Sequence, residues 1–294
     1  MTGAHDESLA PVVLVVGKGG VGKSTVAAGL AVLEAQNRGS SVLVEFGDGE
    51  AGRRNLVGLP GVRHVALDGD EALRRASGPL FGSAVLAKLV LDNFAMRPLV
   101  RAAPGVKEIA LLEAVRQTHV KHPDVRVVVD MPATGHSVAW LRAPRQGRDF
   151  LGSGPLFELC DRLARELVAP GRLSVLVVTL PERLVIEETL ELCAAIGQET
   201  ALEVDRVVVN RVPRALPPQA LGDARALAAR LGPHAATAVA LVDVLRAREE
   251  ASAAALAAVE ELSCRRCPSW SLPLAAADPT AAQAAEWLRA EGAK

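Results

Sequence analysis

PVVLVVGKGGVGKST, from Pro11 to Thr25, decides the fold. An uncharged, valine-rich run predicts a buried parallel strand, and the glycine-rich turn after it leads into a helix expected from about Lys23 to Gly39. Inside the turn, GKGGVGKS (Gly17 to Ser24) has a Gly, four residues, then Gly, Lys and a hydroxyl residue, which is the spacing of a phosphate-binding P-loop. Gly17, Gly19, Gly20 and Gly22 permit positive φ, so successive amides from Lys18 through Val21 to Thr25 can face a triphosphate. Lys23 supplies a full charge to the β and γ phosphates, and the helix N-terminus adds its dipole. Ser24 is the expected Mg2+ ligand, because a hard cation prefers hydroxyl, phosphate and water oxygens. Asp130 ends the run VRVVVD and is the matching acid, holding a metal-bound water beside Ser24.

Outward from the loop, short Val- and Leu-rich runs alternate with longer amphipathic stretches. Strands are expected at PVVLVV (from Pro11), SVLVEF (from Ser41), VRVVVD (from Val125), LSVLVVT (from Leu173), VDRVVVN (from Val204) and WSLPL (from Trp270). That pattern predicts an α/β fold: a doubly wound, mostly parallel sheet flanked by helices, as one domain over residues 1–294. A helical insertion is expected over 68–122, containing the apolar block Pro79 to Val100 that packs on the sheet or forms a partner-binding surface. The Ala-rich segment from Ala215 to Leu262 is split by prolines and Gly232 into at least two helices.

Half the residues are hydrophobic, enough to build a sizeable core and to exclude general disorder. Lys plus Arg (33) nearly cancels Asp plus Glu (34), and aromatics are 3% with no Tyr; both argue against nucleic acid as a partner. Mean hydropathy is positive at +0.22, yet no apolar run of about eighteen residues exists to span a bilayer. The acidic N-terminus lacks a secretory pattern, and four cysteines are few for this length, so a cytoplasmic protein with free thiols is expected. CRRC, at Cys264 to Cys267, is expected to be a pair of ordinary loop thiols; the alternative is that its two soft ligands, at zinc-like spacing, are half of a tetrahedral site that a two-fold dimer could complete. His64, His119 and His122 are expected at the surface.

Lys18, a second lysine directly after Gly17, resembles the signature of the deviant Walker A ATPases. Within that class the chain is similar to the arsenite-pump and tail-anchored-protein-targeting ATPases. DMPATGHSVAWLRAP (Asp130 to Pro144) resembles their second switch, VTLPERLVIEETLEL (from Val178) a strand-to-helix segment, VVVNR (ending at Arg211) the base-binding strand, and APGVKE (from Ala103) a helix break.

The resemblance implies that Lys18 reaches a phosphate in a partner subunit, as a homodimer or with a paralogous ATPase. It implies that Gly135 senses the γ-phosphate and that Asn210, with Arg211 and the loop near Pro273, holds the adenine. It further implies Mg2+–ATP hydrolysis driving a conformational change on a protein client. The family's water-orienting Asp would fall at Gly47, with Asp48 one place late and Glu45 two places early. Slow hydrolysis is therefore expected, with Glu45 and Asp48 as the remaining candidate carboxylates; a hydrolysis-deficient, nucleotide-gated scaffold is the alternative.

Overall fold

The computed structural model describes residues 9–72, 105–132, 137–217, 219–231, 236–264 and 268–293. Seven parallel strands form one sheet in the order β3-β2-β4-β1-β5-β6-β7. They are β1 (Val12–Gly17), β2 (Ser41–Phe46), β3 (Val62–Leu67), β4 (Arg126–Asp130), β5 (Leu173–Thr179), β6 (Arg206–Val212) and β7 (Ser269–Pro273). β1 lies at the centre, between β4 and β5, in registers that pair Val15 with Asp130 and Gly17 with Val178. The chain winds one way through β2, β3 and β4 and the other way through β5, β6 and β7. The switch point is therefore at the C-terminal ends of β1 and β4, where open α/β sheets bind their ligands.

The expected α/β class and doubly wound parallel sheet are borne out. The six expected strands are present, and β3 is an additional one. It is an edge strand, VRHVAL, half-buried along most of its length, and its Arg63 and His64 mask the apolar signal of a buried parallel strand.

Helices cover both faces. On one face α1 (Lys23–Arg38) and the last helix, α9 (Ala281–Gly292), lie over Val13, Val15, Leu43, Val128, Leu176 and Val208. α9 opens with a capping box between Thr280 and Gln283, satisfying two backbone donors at its start. It approaches α1 so closely that a Cβ on Gly29 would lie 2.5 Å from the Cβ of Ala284. On the opposite face α3 (Val106–Lys121), α4 (Ser137–Leu151) and α5 (Pro155–Glu166) pack on Leu14, Val42, Val127, Val129, Val175 and Val177. Burying each such branched side chain contributes roughly 1.5–3 kcal/mol.

α2 (Glu50–Asn55) joins β2 to β3, α6 (Arg183–Glu199) follows β5, and α7 (Ala220–Leu231) and α8 (Ala236–Cys264) divide the Ala-rich segment. The apolar block Pro79 to Val100 lies outside the described residues. The end of the region expected as an insertion is α3, whose Ile109, Ala110, Leu112 and Val115 are buried in the core beneath the sheet.

One ion pair is sealed inside the fold. Arg126 donates to Glu34 at 2.7 Å and to the Leu9 carbonyl at 2.6 Å, with both charged side chains 5% exposed. Buried charges persist only when paired and hydrogen-bonded in this way.

Candidate functional site

The loop from Gly17 to Gly22 crosses from the end of β1 to α1 at the switch point. Gly20 and Gly22 take φ of 81° and 94°, the left-handed region that glycine enters without strain. Gly22 is constrained twice, because a Cβ there would lie 2.3 Å from the Asn210 amide nitrogen. Lys18, Gly19 and Gly20 are exposed, whereas Val21 is buried beneath them. Thr25 follows Ser24 in the first turn of α1.

Lys23 is 6% exposed, and its ammonium group donates to the Lys18 carbonyl at 2.8 Å, closing the loop upon itself. Burial lowers its pKa, opposed by the nearby Asp130 charge. Ser24, in the first turn of α1, faces the end of β4, where its hydroxyl favours the charged form of the Asp130 carboxylate. Asp130 is pushed up to about 6, first by burial and also by the charge of Glu45, against the opposing effects of Ser24 and Lys23. Asp130 Oδ1 is buried with no hydrogen-bond partner among the described residues. A buried carboxylate oxygen needs a donor, and the water of a hydrated divalent cation is one, so Ser24 and Asp130 fit the Mg2+ expected there.

The base-binding candidates come together at the ends of β6 and β7. Asn210 donates from its amide to the Val21 carbonyl at 2.9 Å and accepts the Arg211 N–H at 2.9 Å. Arg211 is exposed with a φ of 59°. Val212 pairs with Pro273 beyond a shift in register. Asn210 therefore reaches back to the phosphate loop, a link that its distance along the chain conceals.

Lys18 forms an ion pair with Glu188 of α6, both about half exposed. Glu188 lies in the VIEETLEL stretch, but nothing in its spacing marked it as the partner of a loop lysine. The two residues line a cavity of about 470 Å³ beside the loop, together with Gly17, Gly19, Ser137 and Thr189.

The two spare carboxylates separate. Asp48 is exposed, accepts the Glu50 N–H at 3.0 Å, and gives its carbonyl to Arg53 at 2.8 Å. Glu45 is buried beside Asp130 and meets His64, whose side chain is 16% exposed rather than free at the surface. Gly135 lies outside the described residues, as do Cys267 and the side chain of Cys264. Among the described residues no cluster of three or more His, Cys, Asp or Glu could hold a metal ion, and zinc has no support.

A strand, a glycine loop, a buried lysine at the start of a helix and an acid on the neighbouring strand define a P-loop nucleotide-binding protein. Residues 12–257 match the CobQ/CobB/MinD/ParA nucleotide-binding domain, and the chain belongs to that family. It is 28% identical over 234 residues to ATPase BagA of Mycobacterium tuberculosis, covering 72% of this chain and 68% of the relative. It is 28% identical over 261 residues to protein Rv2184c of the same organism, covering 72% and 61%. It is also 30% identical over 146 residues to the uncharacterized protein SCO2128 of Streptomyces coelicolor, covering 46% and 37%. Among the described residues no helix is long and apolar enough to cross a membrane.

Proposed function

We propose that this chain is a cytoplasmic, Mg2+-dependent ATPase of the arsenite-pump and tail-anchored-targeting kind, which dimerises with its own copy or a paralogue and acts on a protein client by nucleotide-dependent conformational change. The observation that carries the reading is the convergence of buried Lys23, Ser24 and the buried Asp130 at the mouth of a glycine loop. The name of the relative BagA, which calls it an ATPase, agrees with this reading.

In this reading the loop amides and Lys23 bind the β and γ phosphates. Ser24 and Asp130 would hold Mg2+, which neutralises phosphate charge as the terminal group departs. Asn210, Arg211 and the loop after Pro273 hold the adenine. Lys18 is the residue that crosses to a partner's phosphate, and Gly135 senses the γ-phosphate. Because Gly47 carries no carboxylate, water is poorly oriented and turnover is slow; a misplacement of about 1 Å lowers a rate by roughly a hundredfold.

A second reading, a nucleotide-gated scaffold that does not hydrolyse, is favoured by one observation: Asp48 is engaged in its own turn and with Arg53. Calorimetry followed by single-turnover phosphate release tests both readings. Uptake of Mg2+–ATP that Lys23→Ala abolishes supports nucleotide binding; release of phosphate on the scale of minutes supports the ATPase, and none supports the scaffold. No uptake of ATP or ADP by the parent chain overturns both.

A further inference from the structure

Three polar side chains run outward from the phosphate loop along one edge of the sheet: Asp130 on β4, Glu45 on β2 and His64 on β3. Glu45 and Asp130 are register partners on adjacent parallel strands. Two carboxylates at neighbouring positions repel each other unless a positive group lies between or beside them. Glu45 is nonetheless only 9% exposed, so its position costs free energy that the surrounding structure has to offset.

The surroundings are built for it. Glu45 Oε2 accepts the Gly52 N–H at 2.7 Å and lies 3.2 Å from His64 Nε2. Room for the imidazole comes from two glycines. A Cβ on Gly52 would lie 2.3 Å from His64 Nε2 and 2.6 Å from Glu45 Oε2, and one on Gly49 would lie 2.9 Å from His64 Cε1. Both bonds fall on the same carboxylate oxygen; among the described residues the other, Oε1, makes none. Asp130 shows the same asymmetry, with Oδ1 unbonded among the described residues. The two neighbouring acids each have an oxygen left over for a shared ligand, and Asp48 is turned to its own loop.

We infer that Glu45, held by the Gly52 amide and the His64 ring, is the second carboxylate of the cation site and orients, together with Asp130, the water shell of the divalent ion that Ser24 holds. His64 is a positioning residue: it touches neither nucleotide nor cation and acts by fixing Glu45. The inference rests on the Mg2+–nucleotide reading of the loop.

The test uses Mn2+, whose free form has an electron paramagnetic resonance signal, titrated into the full chain saturated with ADP. Partners outside the inner shell of a metal affect its affinity by about 10–100-fold, so Glu45→Gln should weaken Mn2+ binding at least tenfold while metal-free ADP affinity, measured in chelator, is not weakened. His64→Ala should give a smaller loss in the same direction, and His64→Gln, which restores a donor, should recover it. Glu45→Gln keeps the shape of the side chain and remains decisive if His64→Ala fails to fold, which thermal melting reports. Mn2+ affinity within about twofold of the parent in Glu45→Gln, well short of the loss expected for an outer-shell partner, overturns the inference while leaving nucleotide binding intact. A parent chain that takes up no ADP overturns this inference and the proposed function together.

Discussion

The Asn210 amide donates to the Val21 carbonyl at 2.9 Å, which fastens the proposed base-binding strand end to the phosphate loop. In the proposed function one side chain serves two subsites, and a neutral hydrogen bond of this kind is worth about 1 kcal/mol. Asn210→Ala should weaken ATP binding by roughly tenfold through the combined loss of loop support and base recognition. Gly22→Ala should be worse, since its Cβ would sit 2.3 Å from that amide at a φ of 94°. Titration calorimetry measures both; an unchanged affinity in Asn210→Ala would remove the residue from the site.

The ion pair between Lys18 and Glu188 is about half exposed on both sides, and such pairs contribute about 0–1 kcal/mol. Glu188→Gln should therefore leave the melting temperature nearly unchanged. It should also free the lysine to reach outward, so ATP-induced dimer forms at lower protein concentration, with Lys18→Ala behaving in the opposite way. Sedimentation velocity with and without ATP reads this; equal dimer fractions in all three chains would refute it.

Burial is the main reason that Asp130 is raised to about 6 from an ordinary 3.8. Since the folded value is the higher one, the folded state takes up a proton between these limits. The group is neutral and harmless below the unfolded value, and it destabilises the nucleotide-free fold increasingly as pH rises towards 6. Asp130→Asn should melt above the parent at pH near 7.5 by an amount on the order of 2–3 kcal/mol, and the gap should close as pH falls towards 4. Binding of Mg2+–ADP should show the converse, weakening below pH 6 and releasing a proton that calorimetry in two buffers detects. A pH-independent gap would assign the difference to packing.

Arg126 and Glu34 are each 5% exposed and bonded at 2.7 Å. Truncating one partner of a buried pair typically costs about 3–5 kcal/mol, but removing Arg126 leaves Glu34 its second partner, the part-exposed Arg38 at 3.0 Å, so the loss here falls at or below the low end of that range. Arg126→Ala should lose stability on that scale in urea denaturation, and the double change Glu34→Gln with Arg126→Met should recover part of it. A loss below about 1 kcal/mol would show that Arg38 or water suffices for the Glu34 carboxylate.

The phosphate half of the site was legible because the chemistry is local. Gly17 to Ser24 are contiguous, and Asp130 ends a strand whose five residues are all buried. The base-binding role proposed for Asn210 comes from resemblance alone, and its bond to Val21 depends on β5 and β6 standing in order beside β1. Glu45 and His64 were harder still. They lie nineteen residues apart, and their meeting follows from the pairing of β2 with β3, the one strand whose half-buried, mixed pattern gave no strand signal. A missed edge strand thus hid a buried contact.

The match to the nucleotide-binding family stops at residue 257, but the physical unit continues to α9. This helix presses Ala284 into the space beside Gly29 and buries Ala281, Ala285 and Leu288 against the same layer as α1. The tail of the chain is thus a brace for the helix whose first turn carries Lys23 and Ser24. Shortening the chain before Thr280 would strip that brace and slacken the grip on phosphate from the far end of α1, without altering any residue that nucleotide would touch.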